Sequence, residues 1–508
     1  MSNAASYFVD RHVAEGRGDT IAFREAGTGR SLSYGALSAQ SDRAAGAFAA
    51  LGMRPEERVA MLVLDQIEFP VLFWGALKAG VIPVPINTLL ATPVYEAILQ
   101  DSRARMLVVS EALWDVVAPI LPNLPFLQEV VVIGTAPEGA RGFDGFMGQG
   151  TPIAAPFAAG DDEPAFWLYS SGSTGAPKGV VHVHGALRAT ADTYGASVLG
   201  ITADDVIFSA AKFFFAYGLG NAMTFPMSVG ATTVIFAGRP TPEVMIDTLS
   251  TERPTIFCGV PTLYAAMVAH MDAHGAPDVP LRLCISAGEA LPEDVGLRWR
   301  GHLGVDILDG VGSTEMLHIF LSNAPGDVVY GTSGTPVPGY DMRLVDDAGV
   351  PVAVGEIGEL VVNGASAAAC YWNKRDKSRA TFEGVWTRTG DKYEQRADGR
   401  FVYCGRTDDM FKVSGIWVSP FEVEQAITSH PAVLECAVVA ARDDDGLDKP
   451  KAFVVLQGAQ PDGFDDLIKA HVQERVGKWK YPRWIDIVDG LPKTATGKIQ
   501  RFKLREGA

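Results

Sequence analysis

A run of glycine and hydroxyl residues that ends in a lysine is the strongest chemical signal in the sequence. It consists of YSSGSTGAPKG at 169–179, between strand-like stretches at 165–169 and 180–182. Because glycine has no Cβ, backbone N–H groups there can approach phosphate oxygens, and the hydroxyls and lysine add donors and positive charge. A glycine-rich surface turn is the competing interpretation, which the density of hydroxyls disfavours. The run predicts a phosphate-binding loop with the candidate contacts Ser170, Ser171, Gly172, Ser173, Thr174, Gly175 and Lys178.

This loop is not a Walker A loop, because that motif places Gly-Lys-Ser/Thr at the start of a helix. Here Lys178 stands between proline and glycine, and a strand-like stretch follows. Four more clusters of acidic, hydroxyl and basic residues come later, at 309–315 (DGVGSTE), 387–391 (TRTGD), 405–409 (GRTDD) and 492–499 (PKTATGKI). Each acidic residue alone would more often be a solvated surface group. The order of the clusters along the chain is therefore more informative than any single residue.

The five segments resemble, in the same order, the motifs of the acyl-adenylate-forming superfamily, and the matches extend over nearly the whole chain. That superfamily includes acyl-CoA synthetases, luciferases and the adenylation domains of peptide synthetases. The resemblance implies an enzyme that uses ATP to convert a carboxylate into an acyl-adenylate and releases pyrophosphate. In acid–CoA ligases, the thiol of coenzyme A then attacks the acyl carbon and displaces AMP.

The resemblance also implies roles for single residues. Lys498 would neutralise charge while the carboxylate attacks ATP, and Thr174 would contact phosphate. Glu315 would hold Mg²⁺ against the phosphates, a hard cation on a hard carboxylate oxygen. Asp391 would accept hydrogen bonds from the ribose hydroxyls, with Arg406 close by. The implied ATP and AMP contacts outside the phosphate loop are Gly288, Glu289, Asp309, Gly310, Thr314, Asp391 and Arg406.

One position departs from the superfamily pattern. Val311 stands where an aromatic residue usually stacks on the adenine. A valine can only pack there, so we expect the adenine to depend more on Asp309, Gly310 and the loop at 286–289.

The resemblance implies that a small C-terminal domain rotates about Asp408 once pyrophosphate has left. Residues Ser414 and Gly415 would then line a tunnel for the pantetheine of CoA, and Trp479, Lys480 and Arg483 would meet its nucleotide. Residues 478–505 include eight basic and two acidic residues, a net charge of +6 in a chain whose net charge is -17. A solvated helix face is the usual explanation of such a cluster, and a polyphosphate ligand is the alternative that the local change of sign favours.

Two segments resemble the benzoate–CoA ligase branch of the superfamily, 212–220 (KFFFAYGLG) and 313–320 (STEMLHIF), and the segments 3–18 and 493–507 are similar to that branch as well. Bulky aromatic residues near the phosphate loop suit a short, flat carboxylate better than a fatty acid, although some of Phe213 to Phe215 are expected in the core. The expected pocket residues are Ala216, Tyr217, Ala287, His318 and Ile319. His318 or Tyr217 could hydrogen-bond a ring substituent.

Several substrates and functions stay open at this point. Benzoate or a hydroxybenzoate is the favoured acid, and 2-aminobenzoate and cyclohexane carboxylates are alternatives. An enzyme that loads a carrier-protein thiol, a luciferase-like oxygenase and a non-catalytic nucleotide-binding module are competing functions. The last is disfavoured because Glu315, Asp408 and Lys498 are all present.

Apolar runs bounded by turn residues alternate with helical periods through most of the chain. Such alternation predicts βαβ units and mainly parallel sheets. Ligands usually bind at the carboxyl ends of the strands in such sheets. The predicted fold is α/β: a large N-terminal domain (1–407) of mainly parallel βαβ sheets that binds AMP and the acid, and a small, mobile α+β domain (408–508) that carries Lys498. Within the small domain we predict helices at 422–429 and 464–476 and strands at 433–440 and 451–456.

The composition limits the partners of the chain. Of its 508 residues 47% are hydrophobic and 20% are charged, which is typical of a globular protein. The negative net charge argues against nucleic acid and against an anionic membrane. Five scattered cysteines without a CxxC pair suggest buried, reduced thiols. Without a signal peptide or an apolar run of membrane length, the expected location is the cytoplasm, and the sequence leaves a homodimer open.

Overall fold

The computed structural model describes residues 3–171, 177–413, 416–443, 446–477, 480–493 and 499–505, with only the backbone of residues 171, 412, 416 and 417. The chain forms two compact units. The first consists of Met1–Met342 and Val362–Thr387, and the second of Arg343–Val361 and Arg388–Ala508. The second unit therefore begins before residue 408. The division at 407/408, where we predict a hinge, does not coincide with the edge of either compact unit, and the hinge stays a prediction.

The first nine strands along the chain are β1 (Ile21–Glu25), β2 (Ser31–Ser33), β3 (Arg58–Leu62), β4 (Ile82–Pro85), β5 (Met106–Ser110), β6 (Glu129–Ile133), β7 (Arg141–Gly142), β8 (Pro164–Ser171) and β9 (Pro177–Val183). They continue with β10 (Val206–Ser209), β11 (Thr232–Ile235), β12 (Ile256–Gly259), β13 (Leu283–Ser286), β14 (Ile307–Gly312), β15 (Ile319–Ser322), β16 (Thr335–Pro336), β17 (Asp341–Val345) and β18 (Ile357–Asn363). The last are β19 (Cys370–Tyr371), β20 (Phe382–Glu383), β21 (Trp386–Gln395), β22 (Phe401–Arg406), β23 (Phe411–Val413), β24 (Ile416–Val418), β25 (Val433–Arg442), β26 (Asp448–Leu456) and β27 (Trp484–Ile487).

The α-helices are α1 (Arg11–Ala14), α2 (Tyr34–Ala50), α3 (Glu68–Lys78), α4 (Thr92–Ser102), α5 (Trp114–Val117), α6 (Phe143–Gln149), α7 (His184–Thr190) and α8 (Ala216–Leu219). They continue with α9 (Phe225–Val229), α10 (Pro242–Glu252), α11 (Pro261–His274), α12 (Glu293–Leu303), α13 (Arg375–Thr381), α14 (Pro420–Thr428), α15 (Phe464–Val476) and α16 (Arg501–Arg505). Short 3₁₀ turns lie at Glu111–Leu113 and Ala118–Asn123, and π-helical segments at Ser6–Asp10, Ala191–Val198 and Gly220–Thr224.

Side-chain caps explain where several helices begin. The Ser33 hydroxyl accepts a hydrogen bond from the Ala36 amide at the start of α2. Thr241 caps α10 and Ser419 caps α14 in the same way, and each is followed by proline, which is well suited to the first helical position.

The first unit is built on two large sheets and a smaller one. The largest has the order β16-β15-β14-β13-β12-β10-β11-β1-β2, and its strands from β14 to β1 are parallel. A second sheet, β4-β3-β5-β6-β7, is parallel throughout. A small antiparallel sheet, β19-β9-β8, carries the strands on both sides of the predicted phosphate loop. The predicted α/β class is thereby confirmed.

The second unit is α+β, as predicted. Its sheet β25-β26-β27 packs against α14 and α15. Val423 and Ile427 of α14 and Ile468 and Val472 of α15 are fully buried there. The predicted helix at 464–476 has the bounds of α15, and the predicted strands at 433–440 and 451–456 lie within β25 and β26.

The cysteines and the apolar character of the helices complete the description of the fold. The five cysteines are free, and all but Cys370 are buried. In the parts of the chain that the structure describes, no helix has the combination of length and apolar character needed to cross a membrane.

Candidate active site

The two strands that flank the predicted phosphate loop pair with each other. β8 ends at Ser171 and β9 begins at Pro177, and their register sets Ser170 opposite Lys178. The buried Ser170 hydroxyl has no hydrogen-bond partner among the described residues. The ladder thus fixes both ends of the loop side by side. The loop residues Gly172, Ser173, Thr174 and Gly175, and the side chain of Ser171, lie outside what the structure describes.

Glu315 lies next to Lys178, as their implied roles require. Lys178 Nζ is 3.9 Å from Glu315 Oε1, and the two side chains are only 12% and 16% exposed. The hydroxyl of Tyr371 donates a hydrogen bond of 2.7 Å to the same oxygen. Lys178 Nζ also lies 4.6 Å from the centre of the Tyr371 ring, a cation–π contact. The structure therefore brings two predicted residues together and adds a third that sequence analysis missed.

A tight turn joins Glu315 to the predicted pocket residue His318. The Leu317 amide donates to the Thr314 carbonyl (3.2 Å), and the His318 amide donates to the Met316 carbonyl (2.8 Å). Leu317 has φ 66°, a left-handed conformation that residues other than glycine rarely adopt. Such backbone strain is often found at functional sites and costs about 1–3 kcal/mol. The turn fixes the two side chains within one short loop.

His318 lies at the centre of a group of aromatic rings. Its ring centroid is 5.4 Å from that of Tyr194, 5.7 Å from that of Tyr217 and 4.5 Å from that of Phe225. The ring also lies against Gly220, where an added Cβ would be 2.4 Å from His318 Cδ2. Only glycine leaves room for the imidazole at that position. We call these five residues the aromatic wall.

The protonation of His318 follows from its surroundings. Burial lowers the pKa of His318 to about 3, so the ring is neutral at pH 7. Nε2 lies 3.2 Å from the carbonyl oxygen of Tyr217. A carbonyl only accepts hydrogen bonds, so Nε2 carries the proton. Nδ1 is then an acceptor, and it is buried without a partner among the described residues.

The hydroxyl of Tyr217 donates its proton to the backbone. It lies 2.9 Å from the Ile285 carbonyl oxygen and 3.1 Å from that of Gly259, to which it donates. Its single proton is therefore engaged, and only its oxygen can accept a further hydrogen bond. The expectation that Tyr217 hydrogen-bonds a ring substituent stays a prediction, and in this arrangement the substituent would have to be the donor.

The other predicted pocket residues differ in exposure. Ala216 is half-buried at the start of α8, whereas Ala287 and Ile319 are 4% and 1% exposed. Phe213 and Phe214 are buried, and Phe213 stacks on Phe69 with the ring centroids 4.7 Å apart. These two phenylalanines are core residues, as expected for part of the 213–215 run.

The residues predicted to contact adenine lie at the ends of two neighbouring parallel strands. Asp309 in β14 pairs with Ser286 in β13, and Asp309 Oδ2 accepts a hydrogen bond of 3.3 Å from the Leu291 amide. That contact holds the loop after β13, in which Gly288 has φ 98°. Gly288 and Glu289 are both exposed. Burial raises the pKa of Asp309 to about 8.

This raised pKa makes stability depend on pH in a defined direction. The contribution of Asp309 to the free energy of unfolding is fully present below about pH 4, where its carboxyl group is protonated in both states. This contribution is lost as the pH rises toward 8. Asp309→Asn cannot ionise. The unfolding temperature of the variant should therefore rise relative to that of the wild type between pH 4 and pH 8. The difference in the free energy of unfolding should change by up to about 1.4 kcal/mol per pH unit.

Thermal unfolding at several pH values tests this prediction. Asp294→Asn is the matched control, since Asp294 is an exposed carboxylate in α12 that pairs with Arg298 at 3.2 Å. Its difference from the wild type should change little between pH 5 and pH 8. An unchanging difference for Asp309→Asn as well would show that Asp309 has an ordinary pKa.

In the second unit, the predicted ribose residues are paired. Asp391 and Arg406 are partners in the register of β21 and β22, and Arg406 Nη1 is 3.1 Å from Asp391 Oδ1. Arg406 also donates to the Thr389 carbonyl (3.1 Å). The predicted hinge residue Asp408 is 47% exposed, with Oδ1 3.7 Å from Arg406 Nε. The expectation that Arg406 lies close to Asp391 is confirmed; their roles stay predictions.

Lys498 lies outside the described residues, but the ends of its loop do not. Lys493 and Ile499 form an antiparallel bridge, and the Gln500 amide donates to the Pro492 carbonyl (2.8 Å). Just beyond, Arg501 forms two hydrogen bonds, of 3.0 and 2.7 Å, with the buried carboxylate of Glu424. The base of the loop is thus closed and tied to the core of the second unit.

Several residues of the basic segment 478–505 form ion pairs within the chain. Lys480 pairs with Glu422 (2.6 Å) and Lys493 with Glu435 (2.5 Å). Arg501 pairs with Glu424, and Arg505 with Asp409. Four of its eight basic residues therefore have acidic partners, and the interpretation of the segment as a polyphosphate surface stays a prediction. Of the residues predicted to meet CoA, Ser414, Gly415 and Trp479 lie outside the described residues, and Arg483 lies over the ring of Tyr481 at 3.7 Å.

Comparison with known proteins agrees with this arrangement. Residues 10–372 match the model of the family described as AMP-binding enzyme, and residues 422–498 match its C-terminal domain. The chain is 53% identical to a 4-hydroxybenzoate–CoA/benzoate–CoA ligase of Rhodopseudomonas palustris, over 99% of this chain and 94% of the relative. It is also 53% identical to a benzoate–CoA ligase of Thauera aromatica, over 99% and 95% of the two chains.

A solved structure shows the same likeness in three dimensions. The benzoate CoA ligase from Burkholderia xenovorans LB400 is 48% identical, with a TM-score of 0.90 over 99% of this chain and all of that one. Family model, sequence and fold agree along almost the full length, and the chain therefore belongs to the AMP-binding enzyme family, in its benzoate–CoA ligase branch.

Proposed function

We propose that this chain is an ATP-dependent ligase that adenylates benzoate or a hydroxybenzoate and transfers the acyl group to CoA, giving aryl-CoA, AMP and pyrophosphate. The observation that carries the proposal is the aromatic wall, whose His318 is joined by one tight turn to Glu315. A flat ring fits against such a wall. The imidazole lies directly against Gly220, which closes the space behind it and disfavours a long acyl chain.

The chemistry of the two steps explains which residues the reaction needs. A carboxylate is a poor electrophile, and its attack on the α-phosphate of ATP converts it into a mixed anhydride with AMP as leaving group. The thiol of CoA then attacks the acyl carbon, and the C–O bond to AMP breaks. Lys178 and the hydroxyls of the phosphate loop would bind the phosphates, and Lys498 would offset charge that develops as the carboxylate attacks. This is catalysis by charges that are already in place.

The residues around Glu315 fit a magnesium ion. Mg²⁺ is usually held by one or two carboxylates together with substrate phosphates, and it keeps several waters. Glu315 supplies one such carboxylate beside Lys178, a residue of the phosphate loop. When bound, Mg²⁺ would offset negative charge on the phosphates. Glu315 is the residue that we propose to hold it.

The wall also bears on ring substituents. The Tyr217 oxygen and His318 Nδ1 can both accept a hydrogen bond, and neither can donate one in this arrangement. Hydroxyl and amino groups are therefore compatible with the wall. This keeps hydroxybenzoates and 2-aminobenzoate as substrates beside benzoate, and cyclohexane carboxylate as an apolar alternative. In the second step, the alternative is transfer of the acyl group to a carrier-protein thiol instead of CoA.

A CoA-dependent assay of AMP release over a panel of acids tests the proposal. The panel contains benzoate, the 3- and 4-hydroxybenzoates, 2-aminobenzoate, cyclohexane carboxylate and octanoate. We expect the highest kcat/KM for benzoate or a hydroxybenzoate, and a preference for octanoate would contradict the proposal. Pyrophosphate exchange without consumption of CoA would point to carrier-protein loading instead.

Enlarging Ala216 should impair the reaction of para-substituted acids more than that of unsubstituted acids. We expect Ala216→Leu to lower kcat/KM most for para-substituted benzoates, because overfilling a tight pocket costs about 1–3 kcal/mol. The same panel measures the effect. Ala196→Leu is the matched control, an exposed alanine in the π-helical segment Ala191–Val198. Equal losses for substituted and unsubstituted acids would show that Ala216 does not line the pocket.

Four further expectations accompany this proposal. The hinge at Asp408 and the CoA contacts of Lys480 and Arg483 stay predictions. So does action in the cytoplasm. A homodimer also stays a prediction, which light scattering on the purified protein tests.

A further inference from the structure

Tyr371 lies on a short strand that is fixed on two sides. Its strand β19 pairs with β9, the strand that leaves the phosphate loop, and the Trp372 amide donates to the Gly179 carbonyl (2.8 Å). On the other side, the Ala368 amide donates to the Glu315 carbonyl (2.8 Å). The backbone therefore holds Tyr371 between the phosphate loop and the turn that contains Glu315. This placement leaves the tyrosine side chain little freedom.

The Tyr371 side chain contacts both charged residues of the site. Its hydroxyl donates to Glu315 Oε1 at 2.7 Å, and its ring lies beneath Lys178 Nζ at 4.6 Å. Lys178 Nζ is 3.9 Å from that same oxygen, which is longer than the 2.7–2.9 Å typical of a charge-assisted hydrogen bond. The phenol thus takes the position on Oε1 that the ammonium group would otherwise compete for.

We infer that Tyr371 is a positioning residue for adenylation, which keeps the ion pair of Glu315 and Lys178 from closing to hydrogen-bond distance. A closed pair would direct the two charges toward each other. With Tyr371 in place, Lys178 is directed to phosphate and Glu315 to the magnesium ion. This inference rests on the proposed function, in which both residues serve ATP.

The variant Tyr371→Phe removes only the hydroxyl and keeps the ring under Lys178. Calorimetric titration with ATP, with and without Mg²⁺, measures how much the ion increases the affinity for ATP. We expect that increase to fall by about tenfold, in line with the loss of one hydrogen bond to a charged group. Benzoate-dependent pyrophosphate release should fall by a similar factor and recover in part at higher Mg²⁺ concentration. Thioester formation from synthetic benzoyl-AMP and CoA should not change.

Tyr330→Phe is the matched control. The Tyr330 hydroxyl also donates to a carboxylate, Asp306 Oδ1, at 3.0 Å, but away from Glu315. Its loss should leave the magnesium dependence of ATP binding at the wild-type value. A second test uses the Lys178→Gln background, in which no ion pair can form. There, Tyr371→Phe should have a smaller additional effect, and an undiminished effect would exclude the competition with Lys178.

Two results would overturn the inference. Wild-type magnesium dependence in Tyr371→Phe, with loss in Glu315→Gln, would remove the positioning role and leave the proposed function intact. Wild-type magnesium dependence in Glu315→Gln would show that the carboxylate positioned by Tyr371 does not serve the ion. If the wild type released no pyrophosphate with any acid, the proposed function would fail, and the titration with ATP would still decide the role of Tyr371.

Discussion

Replacing Lys498 with alanine should nearly abolish benzoate-dependent release of pyrophosphate. A lysine about 4 Å from a phosphate oxygen contributes roughly 4 kcal/mol at an effective dielectric constant of 20, before desolvation. If that charge acts only while the carboxylate attacks ATP, its loss lowers kcat of this half-reaction by about a hundredfold or more. The same variant, given synthetic benzoyl-AMP and CoA, should form thioester within about tenfold of the wild-type rate, a barrier change below ~1.4 kcal/mol.

Lys503→Ala is the control for Lys498→Ala. Lys503 is an exposed lysine of α16, five positions further along the same basic segment. Its loss removes the same charge from the segment and should leave both half-reactions close to wild type. Comparable losses in both half-reactions of Lys498→Ala would mean that this lysine acts in both steps, and the assignment to adenylation alone would be wrong.

Replacing Asp391 with alanine should weaken both half-reactions, because the ribose of ATP or of the acyl-adenylate is present in each. A hydrogen bond to a charged group contributes about 1.5–3 kcal/mol, so we expect kcat/KM for ATP to fall about tenfold to a hundredfold. Thioester formation from benzoyl-AMP should fall by a similar factor. This pattern distinguishes Asp391 from Lys498, whose loss should affect the first step alone.

Deoxynucleotides separate a ribose contact from a structural effect. If Asp391 accepts hydrogen bonds from the ribose hydroxyls, 2′-deoxy- or 3′-deoxy-ATP should be a poorer substrate than ATP for the wild type but not for Asp391→Ala. Asp398→Ala is the control, since Asp398 lies exposed in the turn between the same two strands. Equal discrimination against the deoxynucleotides by wild type and Asp391→Ala would show that Asp391 does not contact the ribose.

Most of the fold could be predicted where the apolar pattern is strong. The apolar runs at 106–110 (MLVVS) and 283–286 (LCIS) form β5 and β13, and the predicted helix at 464–476 has the bounds of α15. Strands buried on both faces give continuous apolar runs, which are easily seen. The π-helical segment Gly220–Thr224 could not be predicted, since its residues also fit an ordinary buried helix. β19, with two residues, is too short to show a period.

The candidate site was predictable where its residues share a motif. Lys178, Glu315 and His318 come from two short segments with clear local signals. Tyr371 is 56 residues from Glu315 along the chain, and tertiary contacts bring the two together: β19 pairs with β9, and the Ala368 amide donates to the Glu315 carbonyl. Tyr194 and Phe225 join the aromatic wall through tertiary packing for which no local pattern exists. The use of the Tyr217 proton by a backbone carbonyl is equally invisible in a sequence.

The left-handed backbone of Leu317 restricts how this enzyme can be evolved toward other acids. Its φ of 66° favours glycine or asparagine, yet the side chain is only 3% exposed, so the core requires a large apolar group. Residues branched at Cβ satisfy the core but not the backbone, and glycine satisfies the backbone but leaves a cavity. A mutant library aimed at substrate range should therefore vary His318 and Ile319 and keep Leu317 constant. Randomising all three positions would mostly yield clones that lose the geometry of Glu315 together with the wall.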